Sequence, residues 1–227
     1  MPDPATQRGA GHRVFIDFDN TITIGDMLDG VIERFAGDES WRTFEEDWAV
    51  GRIGTRACLE GQVLTLRAEW SELRAHLDGI ELDPGFAVLR DQLRREQVEF
   101  TILSDNFDLF VSHLLQRHGL DDVPFQSNHV ERVGNRFLPS FPHANPECPG
   151  CAHCKKTHFL PPHHDARRVI YIGDGRSDVC PSLHADIVFA KDSLLTHLQK
   201  KGIACIPYRN LTEVSQRLET ILHDNVQ

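Results

Sequence analysis

The chain has 227 residues, of which 40% are hydrophobic, so it can bury a core and hold one main domain with an insertion. Its formal net charge of −10 argues against a nucleic-acid partner. Residues 1–12 lack the apolar core of a signal peptide, and no later stretch is long and apolar enough to span a bilayer. We therefore expect a cytoplasmic protein with a flexible segment 1–12 and no membrane partner.

The first strand signal, residues 13–18, contains Asp17 and is followed at once by Asp19 and Thr21. Asp26 then precedes apolar residues at helical spacing and is a candidate helix N-cap. Further helical patterns continue to residue 81, which is more than a simple crossover between two strands needs. We predict a helical cap over 25–81 and a catalytic core formed by 13–24 and 82–227.

The remaining chain alternates helices with short apolar strands. The predicted strands cover 98–103, which stops at Ser104, and 169–172, 187–190 and 204–207; a hairpin over 130–137 turns at Gly134–Asn135. This order predicts an α/β protein with a doubly wound, mostly parallel, Rossmann-like sheet. In such sheets ligands bind at the carboxyl ends of the strands.

Three predicted strand ends carry polar groups, which we expect to converge on one crevice. They are Asp17 with Asp19, Ser104, and the run from Gly173 through Asp174 to Asp178. A carboxylate can attack a phosphoryl group if a cation screens the repulsion, and Mg²⁺ prefers oxygen ligands. The alternative for the two aspartates is that they only cap a turn. Ser104 is also a candidate helix N-cap, a role that does not exclude phosphate binding.

The order of these residues resembles the four motifs of haloacid dehalogenase superfamily phosphatases. The matching positions are Asp17, Asp19 and Thr21; Ser104; a lysine near Lys155; and Asp174 with Asp178. Thr21 is a candidate substrate contact, and the alternative is that it orients Asp19 or the turn. The resemblance covers nearly the whole chain. It implies that Asp17 forms an aspartyl phosphate and that Asp19 protonates the leaving group and then activates water. It also implies Mg²⁺ ligands from Asp17, the Asp19 carbonyl and Asp174, with Asp178 as a support or a further ligand.

The third motif leaves two lysines open. Lys155 follows Cys154 as in the relatives of this branch, and Lys156 is the alternative. A lysine here would offset negative charge on the phosphoryl group, and Ser104 would donate to a transferring oxygen. If both lysines were only solvated surface residues, the site would lack its usual cation.

Other segments are similar to particular branches of this superfamily. The stretch from Phe141 to Lys155 resembles methionine-salvage phosphatases acting on 2-hydroxy-3-keto-5-methylthiopentenyl-1-phosphate, and segment 206–209 is similar to theirs too. The segments at Ser104 and Cys180 instead resemble phosphoethanolamine and phosphocholine phosphatases. Phosphoserine phosphatases are more distant. Asp105 and Asn106 stand where phosphoserine and methionine-salvage phosphatases usually have two glycines. Both are candidate substrate contacts. The negative charge of Asp105 would tolerate a cationic or neutral substrate tail better than an anionic one.

The cysteine cluster allows a zinc site. Cys148, Cys151 and Cys154 have the short spacing of tetrahedral ligands, and His143, His153 or His158 would be the fourth. The alternative is three reduced thiols that shape a loop beside the lysine. A Zn²⁺ ion here would be structural.

The cap is expected to decide specificity, with Arg56 as a candidate substrate contact or a solvated surface residue. The sequence thus predicts a Mg²⁺-dependent phosphatase of a small phosphorylated metabolite, and the methionine-salvage phosphate is the first candidate. The alternatives are phosphoethanolamine, phosphocholine or phosphoserine phosphatase, a phosphotransferase, and a non-catalytic metal-binding or interaction protein. The sequence leaves the oligomeric state open.

Overall fold

The computed structural model describes residues 11–148, 150–163 and 165–223. The chain divides into two compact units. The first unit runs to Ile24 and adds Leu82–Leu103 and the chain from Lys156 onward, and the second comprises Gly25–Glu81 and Ser104–Lys155. Most of the predicted flexible segment, residues 1–10, lies outside the described residues.

The described residues form seven strands and nine α-helices. The strands are β1 (His12–Ile16), β2 (Glu99–Phe107), β3 (Phe125–Val133), β4 (Arg136–Ser140), β5 (Arg168–Gly173), β6 (Ile187–Ala190) and β7 (Ile206–Pro207). The helices are α1 (Met27–Phe35), α2 (Trp41–Ala49), α3 (Thr55–Thr65), α4 (Trp70–Leu77), α5 (Gly85–Arg95), α6 (Asp108–Arg117), α7 (Val179–Ser182), α8 (Asp192–Lys200) and α9 (Leu211–His223). Short 3₁₀ helices cover Lys155–His158 and Arg176–Asp178.

The strands are arranged in the order β4-β3-β2-β1-β5-β6-β7, which confirms the predicted α/β fold with a mostly parallel sheet. In the first unit, β1 pairs in parallel with both β2 and β5, so that Ile16 lies opposite Ile102 and Ile172. Strands β6 and β7 continue the parallel sheet. The continuous apolar run of β1 is explained by this position, because a central parallel strand is buried on both faces.

One core cluster of the first unit joins residues of the strands β1, β2 and β5 to Phe159. It consists of Phe15, Leu103, Phe159, Val169 and Tyr171, all at most 4% exposed. The rings of Phe15 and Phe159 have centroids 5.1 Å apart, within the range of favourable aromatic pairs. This packing anchors the segment around Phe159 to the strands β1, β2 and β5.

The second unit contains the helices α1 to α4. Asp26 caps α1 as predicted, because its Oδ1 accepts a hydrogen bond from the backbone N–H of Asp29 at 3.0 Å. Of the apolar residues expected on one face of α1, four are buried, Met27, Leu28, Val31 and Ile32, and Phe35 is partly buried. The hairpin of β3 and β4 is confirmed too: Val133 pairs with Arg136, and Gly134 has a φ of +64°, which glycine adopts without strain.

The predicted end of the second strand at Leu103 is wrong, because β2 continues to Phe107 and α6 begins at Asp108. Ser104 is therefore a strand residue and does not cap this helix. Phe107 is fully buried, and its ring packs against Phe110 and Phe141 with centroids 6.3 and 6.0 Å away. Burial of this ring explains why the extended chain continues past the polar residues 104–106.

The predicted cap, 25–81, begins and ends where the first segment of the second unit does, but that unit also contains 104–155. The assignment of 25–81 alone as a cap stays a prediction. None of the helices formed by the described residues is both long and apolar enough to cross a membrane.

Candidate active site

Three carboxylates of the first unit lie together. Oxygen atoms of Asp17, Asp174 and Asp178 all lie within 4.8 Å of one another, and the three residues are at most 9% exposed. The register brings Asp17 and Asp174 together, because Asp17 follows β1 and donates its backbone N–H to the carbonyl of Ile172 in β5 at 2.9 Å. Buried carboxylates at this spacing repel one another unless a cation or a proton compensates them. This set of oxygen donors fits a divalent cation such as Mg²⁺.

The side chain of Asp174 is oriented by the segment that follows β1. Thr21 Oγ1 donates to its Oδ1 at 3.2 Å, and Asn20 Nδ2 donates to its Oδ2 at 2.7 Å. Asn20 has a φ of +52°, a region that asparagine tolerates better than most residues. Thr21, expected to contact substrate or to orient Asp19 or the turn, thus contacts Asp174. The contribution of Asn20 was missed by the sequence reasoning.

Asp178 supports the loop after β5. Its Oδ1 accepts a 2.6 Å hydrogen bond from the Tyr171 hydroxyl, and its Oδ2 accepts the backbone N–H groups of Asp174 and Gly175 at 3.0 and 3.1 Å. A Cβ on Gly173 would come within 2.5 Å of Oδ2, so the loop needs glycine there. These bonds favour the supporting role over direct coordination among the two expected for Asp178.

Tyr208 is a second residue of this site that the sequence reasoning did not assign. Its hydroxyl donates to the carbonyl of Gly173 at 3.3 Å, and its side chain is buried. Burial raises the pKa of Tyr208 well above its usual value; a hydrogen bond with Thr21 lowers it in part, and the charges of Asp174, Asp178 and Asp17 raise it. Tyr208 therefore remains a neutral hydrogen-bond donor. The only sequence signal was the resemblance of segment 206–209 to methionine-salvage phosphatases.

Asp19 is partly buried and lies two residues beyond Asp17, in the first unit. Ser104, in the second unit, is fully buried, and its Oγ accepts the backbone N–H of Asn106 at 3.0 Å. Asn106 is buried and uses its Oδ1 to accept the N–H of Phe107 at 2.7 Å. The bond to Asn106 does not use the hydrogen of the Ser104 hydroxyl, so the hydroxyl keeps a donor for a ligand oxygen.

Lys155 and Lys156 have different environments. The side chain of Lys155 is fully buried, and its Nζ lies 3.4 Å from Asp105 Oδ2 in the second unit. Lys156 is partly buried in the first unit, near His184, whose pKa is lowered by burial and then by the charge of Lys156. A buried lysine with a carboxylate partner fits a structured ionic role better than a solvated surface role. This difference favours Lys155.

The four-residue zinc set is not brought together within the second unit. The sulfur atoms of Cys148 and Cys151 lie 3.4 Å apart, but Cys154 and His143 do not join them in a compact group of ligand atoms among the described residues. Cys154 is buried, and its backbone N–H donates to the carbonyl of His143 at 3.0 Å. This bond fixes Cys154 in the interior, and burial lowers the pKa of His143, whose ring stacks on His153.

Arg56 is exposed, and its guanidinium carbon lies 5.5 Å from the ring centroid of Phe141 in the same unit. This is a cation–π distance, so the aromatic ring holds the guanidinium in place. Its contact with a substrate stays a prediction.

The second unit also carries an acidic face formed by Asp26, Asp29 and Glu45. Asp29 reaches solvent, yet burial by the groups around it raises its pKa to about 7, and the charges of Asp26, Glu45 and Glu33 contribute further. Burial raises the pKa of Asp26 as well. Glu45 accepts a 2.8 Å hydrogen bond from the buried side chain of Gln62, which fixes one end of this face. A positive group near these carboxylates would relieve their repulsion.

The model of the haloacid dehalogenase-like hydrolases matches residues 14–180. The chain belongs to this family. The 2-hydroxy-3-keto-5-methylthiopentenyl-1-phosphate phosphatase of Bacillus pumilus is 26% identical over 92% of this chain and 91% of its own length. The enzyme of the same name from Brevibacillus brevis is 29% identical over 94% of this chain and 97% of its own length.

Solved structures of other proteins have folds similar to that of this chain. A phosphoserine phosphatase in a phospho-aspartyl intermediate analogue form has a TM-score of 0.65 and 19% identity, and the match covers 90% of this chain and 97% of that chain. The phosphoserine phosphatase of T. onnurineus has a TM-score of 0.66 and 16% identity over 94% and 96% of the two chains. The family and its relatives confirm the expected class, a phosphoric monoester hydrolase.

Proposed function

We propose that this chain hydrolyses the phosphate ester of a small metabolite through an aspartyl phosphate at Asp17, with Mg²⁺ as cofactor. The observation that carries the proposal is the grouping of Asp17, Asp174 and Asp178 at the ends of β1 and β5. Such a group of buried carboxylates is unfavourable in a domain that has no use for a cation. The carboxyl ends of parallel strands are also where α/β sheets bind ligands.

The reaction has two steps. The Asp17 carboxylate attacks phosphorus, a new O–P bond forms, and the bond to the leaving-group oxygen breaks as Asp19 gives that oxygen a proton. Asp19 then takes a proton from a water molecule that attacks the phosphorus of the aspartyl phosphate. Phosphate leaves, and the Asp17 carboxylate and the protonated Asp19 are restored.

The ion would be held by Asp17, the carbonyl of Asp19 and Asp174. When bound, it supplies positive charge that screens the repulsion between a carboxylate and a phosphate. Thr21 and Asn20 keep Asp174 oriented for this task, and Asp178 holds the loop that carries Asp174.

Ser104 and Lys155 bind the transferred group in this proposal. The serine hydroxyl donates to a phosphoryl oxygen, and the lysine ammonium offsets negative charge on the phosphoryl group and on Asp17. Their support is the match of Ser104 and Lys155 to the second and third motifs of the family whose model covers residues 14–180.

The first candidate substrate is 2-hydroxy-3-keto-5-methylthiopentenyl-1-phosphate. Its support is the name of the relatives that align with at least 92% of this chain, together with the similar stretch from Phe141 to Lys155. The second candidate is a phosphorylated amine such as phosphoethanolamine, phosphocholine or phosphoserine. The acidic face of Asp26, Asp29 and Glu45 favours it, because an ammonium group would compensate these carboxylates.

The experiment is phosphate release from these four compounds with either Mg²⁺ or EDTA. We expect Mg²⁺-dependent release, with a kcat/KM for one compound well above those for the others. The variant Asp29→Asn separates the candidates, since it should raise KM for the amines and leave KM for the methionine-salvage phosphate unchanged. Absence of release from all four compounds would contradict the proposed substrates, and transfer to an added alcohol in preference to water would identify a phosphotransferase.

A further inference from the structure

Asp105 occupies a position where the resemblance led us to expect a contact with substrate. The structure gives its carboxylate other partners. Oδ2 lies 3.4 Å from Lys155 Nζ, and Oδ1 accepts the backbone N–H of His153 at 2.8 Å. The Asp105 side chain is 17% exposed and that of Lys155 is 0% exposed. The carboxylate thus joins the end of β2 to the short segment that carries the lysine.

The backbone around Asp105 is fixed from two further directions. Asn128 of β3 is fully buried, and its Nδ2 donates to the Asp105 carbonyl at 2.5 Å. His153 is also buried, and its Nδ1 lies 2.9 Å from the Ser104 carbonyl. A carbonyl only accepts hydrogen bonds, so Nδ1 carries the hydrogen. The Asp105 end of the pair is therefore held by hydrogen bonds that do not depend on a ligand.

A carboxylate partner stabilises a buried ammonium group such as that of Lys155. The lysine side chain has several rotatable bonds, and it loses hydration when it is buried. A fixed carboxylate at ion-pair distance compensates the charge and reduces the freedom of the ammonium group. A small misplacement of a catalytic group can lower the reaction rate steeply, so the rate should depend on how well the ammonium group is held in place.

We propose that Asp105 is a positioning residue, which acts on the reaction by holding the ammonium group of Lys155. The inference rests on the proposed function, because it takes Lys155 as the cation that meets the phosphoryl group. It replaces the role of substrate contact for Asp105. It also gives a physical use to the aspartate that stands where phosphoserine and methionine-salvage phosphatases usually have glycine.

A double-mutant cycle tests the inference, with Asp105→Asn, Lys155→Gln and the double variant. Asparagine keeps an oxygen that can accept the His153 N–H but loses the charge that faces Lys155. We expect Asp105→Asn to lower kcat on the order of a hundredfold with little change in KM. In the Lys155→Gln background the same substitution should change kcat less than about twofold, because its effect passes through the lysine.

Three results would overturn the inference. They are equal losses of kcat from Asp105→Asn in both backgrounds, a rise in KM alone, and wild-type kinetics. The exposed Asp121 of the same unit provides a control, and Asp121→Asn should leave kcat and the thermal midpoint unchanged. Thermal unfolding of each variant identifies a loss that is only structural, which would not depend on residue 155. Failure of the proposed function is seen separately, as a wild-type protein that releases no phosphate.

Discussion

The hydroxyl oxygen of Tyr171 lies 2.6 Å from Oδ1 of Asp178, and both side chains are fully buried. Tyr171 belongs to β5, and Asp178 lies at the end of the 3₁₀ helix that follows it. Because the other carboxylate oxygen accepts the N–H groups of Asp174 and Gly175, this one bond connects the strand to the loop that presents Asp174. The loop is thus held in place without a ligand.

The variant Tyr171→Phe should destabilise the protein by about 2 kcal/mol, since it removes a hydrogen bond to a charged group and leaves a buried acceptor. Tyr208→Phe provides the matched comparison, because the Tyr208 hydroxyl donates to a neutral carbonyl at 3.3 Å, and we expect a loss of about 1 kcal/mol. Urea unfolding of both variants measures the difference. Equal losses, or a larger loss for Tyr208→Phe, would contradict the role assigned to the Tyr171–Asp178 bond.

Asn20→Ala should raise the Mg²⁺ concentration needed for half-maximal activity by about tenfold or more. The reason is that the variant removes the 2.7 Å hydrogen bond that orients Asp174, and partners of metal ligands affect metal affinity at this scale. Titration of activity with Mg²⁺ measures the change. Asn210→Ala is a control, because Asn210 accepts the N–H of Glu213 at the start of α9. An unchanged Mg²⁺ requirement for Asn20→Ala would refute the orienting role.

Stability should depend on pH through Asp29. Its pKa in the folded protein is raised to about 7, against about 4 in an unfolded chain, so the folded state holds a proton that the unfolded state lacks between these values. The raised pKa therefore lowers the free energy of unfolding progressively as pH rises from about 4 to about 7. Asp29→Asn removes this dependence. The free energy of unfolding of the variant, relative to that of the wild type, should therefore be higher at pH 8 than at pH 5.

Urea midpoints of wild type and Asp29→Asn at the two pH values test this sign. Glu72→Gln controls for loss of an acidic residue in a first helical turn, here in α4. A stability difference between Asp29→Asn and wild type that is the same at both pH values would show that Asp29 does not titrate in this range.

The fold was largely predictable because its signals are local. The apolar run before Asp17 and the glycine at the hairpin turn each determine the structure of a few adjacent residues, and both predictions are confirmed. The extension of β2 to Phe107 was not predictable in this way. It depends on aromatic packing with Phe141, which is distant in sequence, whereas residues 104–106 are polar and typical of a strand end.

The same distinction between local signals and contacts distant in sequence applies to the candidate site. Spacing and strand order predicted the grouping of Asp17 with Asp174, since both follow strands that pair in parallel. The contributions of Asn20 and Tyr208 escaped prediction, because each depends on a side-chain bond formed across the fold. The contact of Asp105 with Lys155 escaped it for the same reason.

The proposed mechanism requires a covalent phosphoryl group on Asp17. The most direct measurement is rapid quenching of the enzyme during turnover, followed by borohydride trapping and mass spectrometry of the peptide that contains residues 14–23. We predict that borohydride reduces the Asp17 acyl phosphate of the wild type to homoserine, with loss of phosphate, and that residue 17 of Asp17→Asn is not reduced. The rate of Asp17→Asn should fall below about a thousandth of the wild-type rate while its fold is retained. Turnover of Asp17→Asn near the wild-type rate, or a phosphoryl group on another residue, would contradict the mechanism.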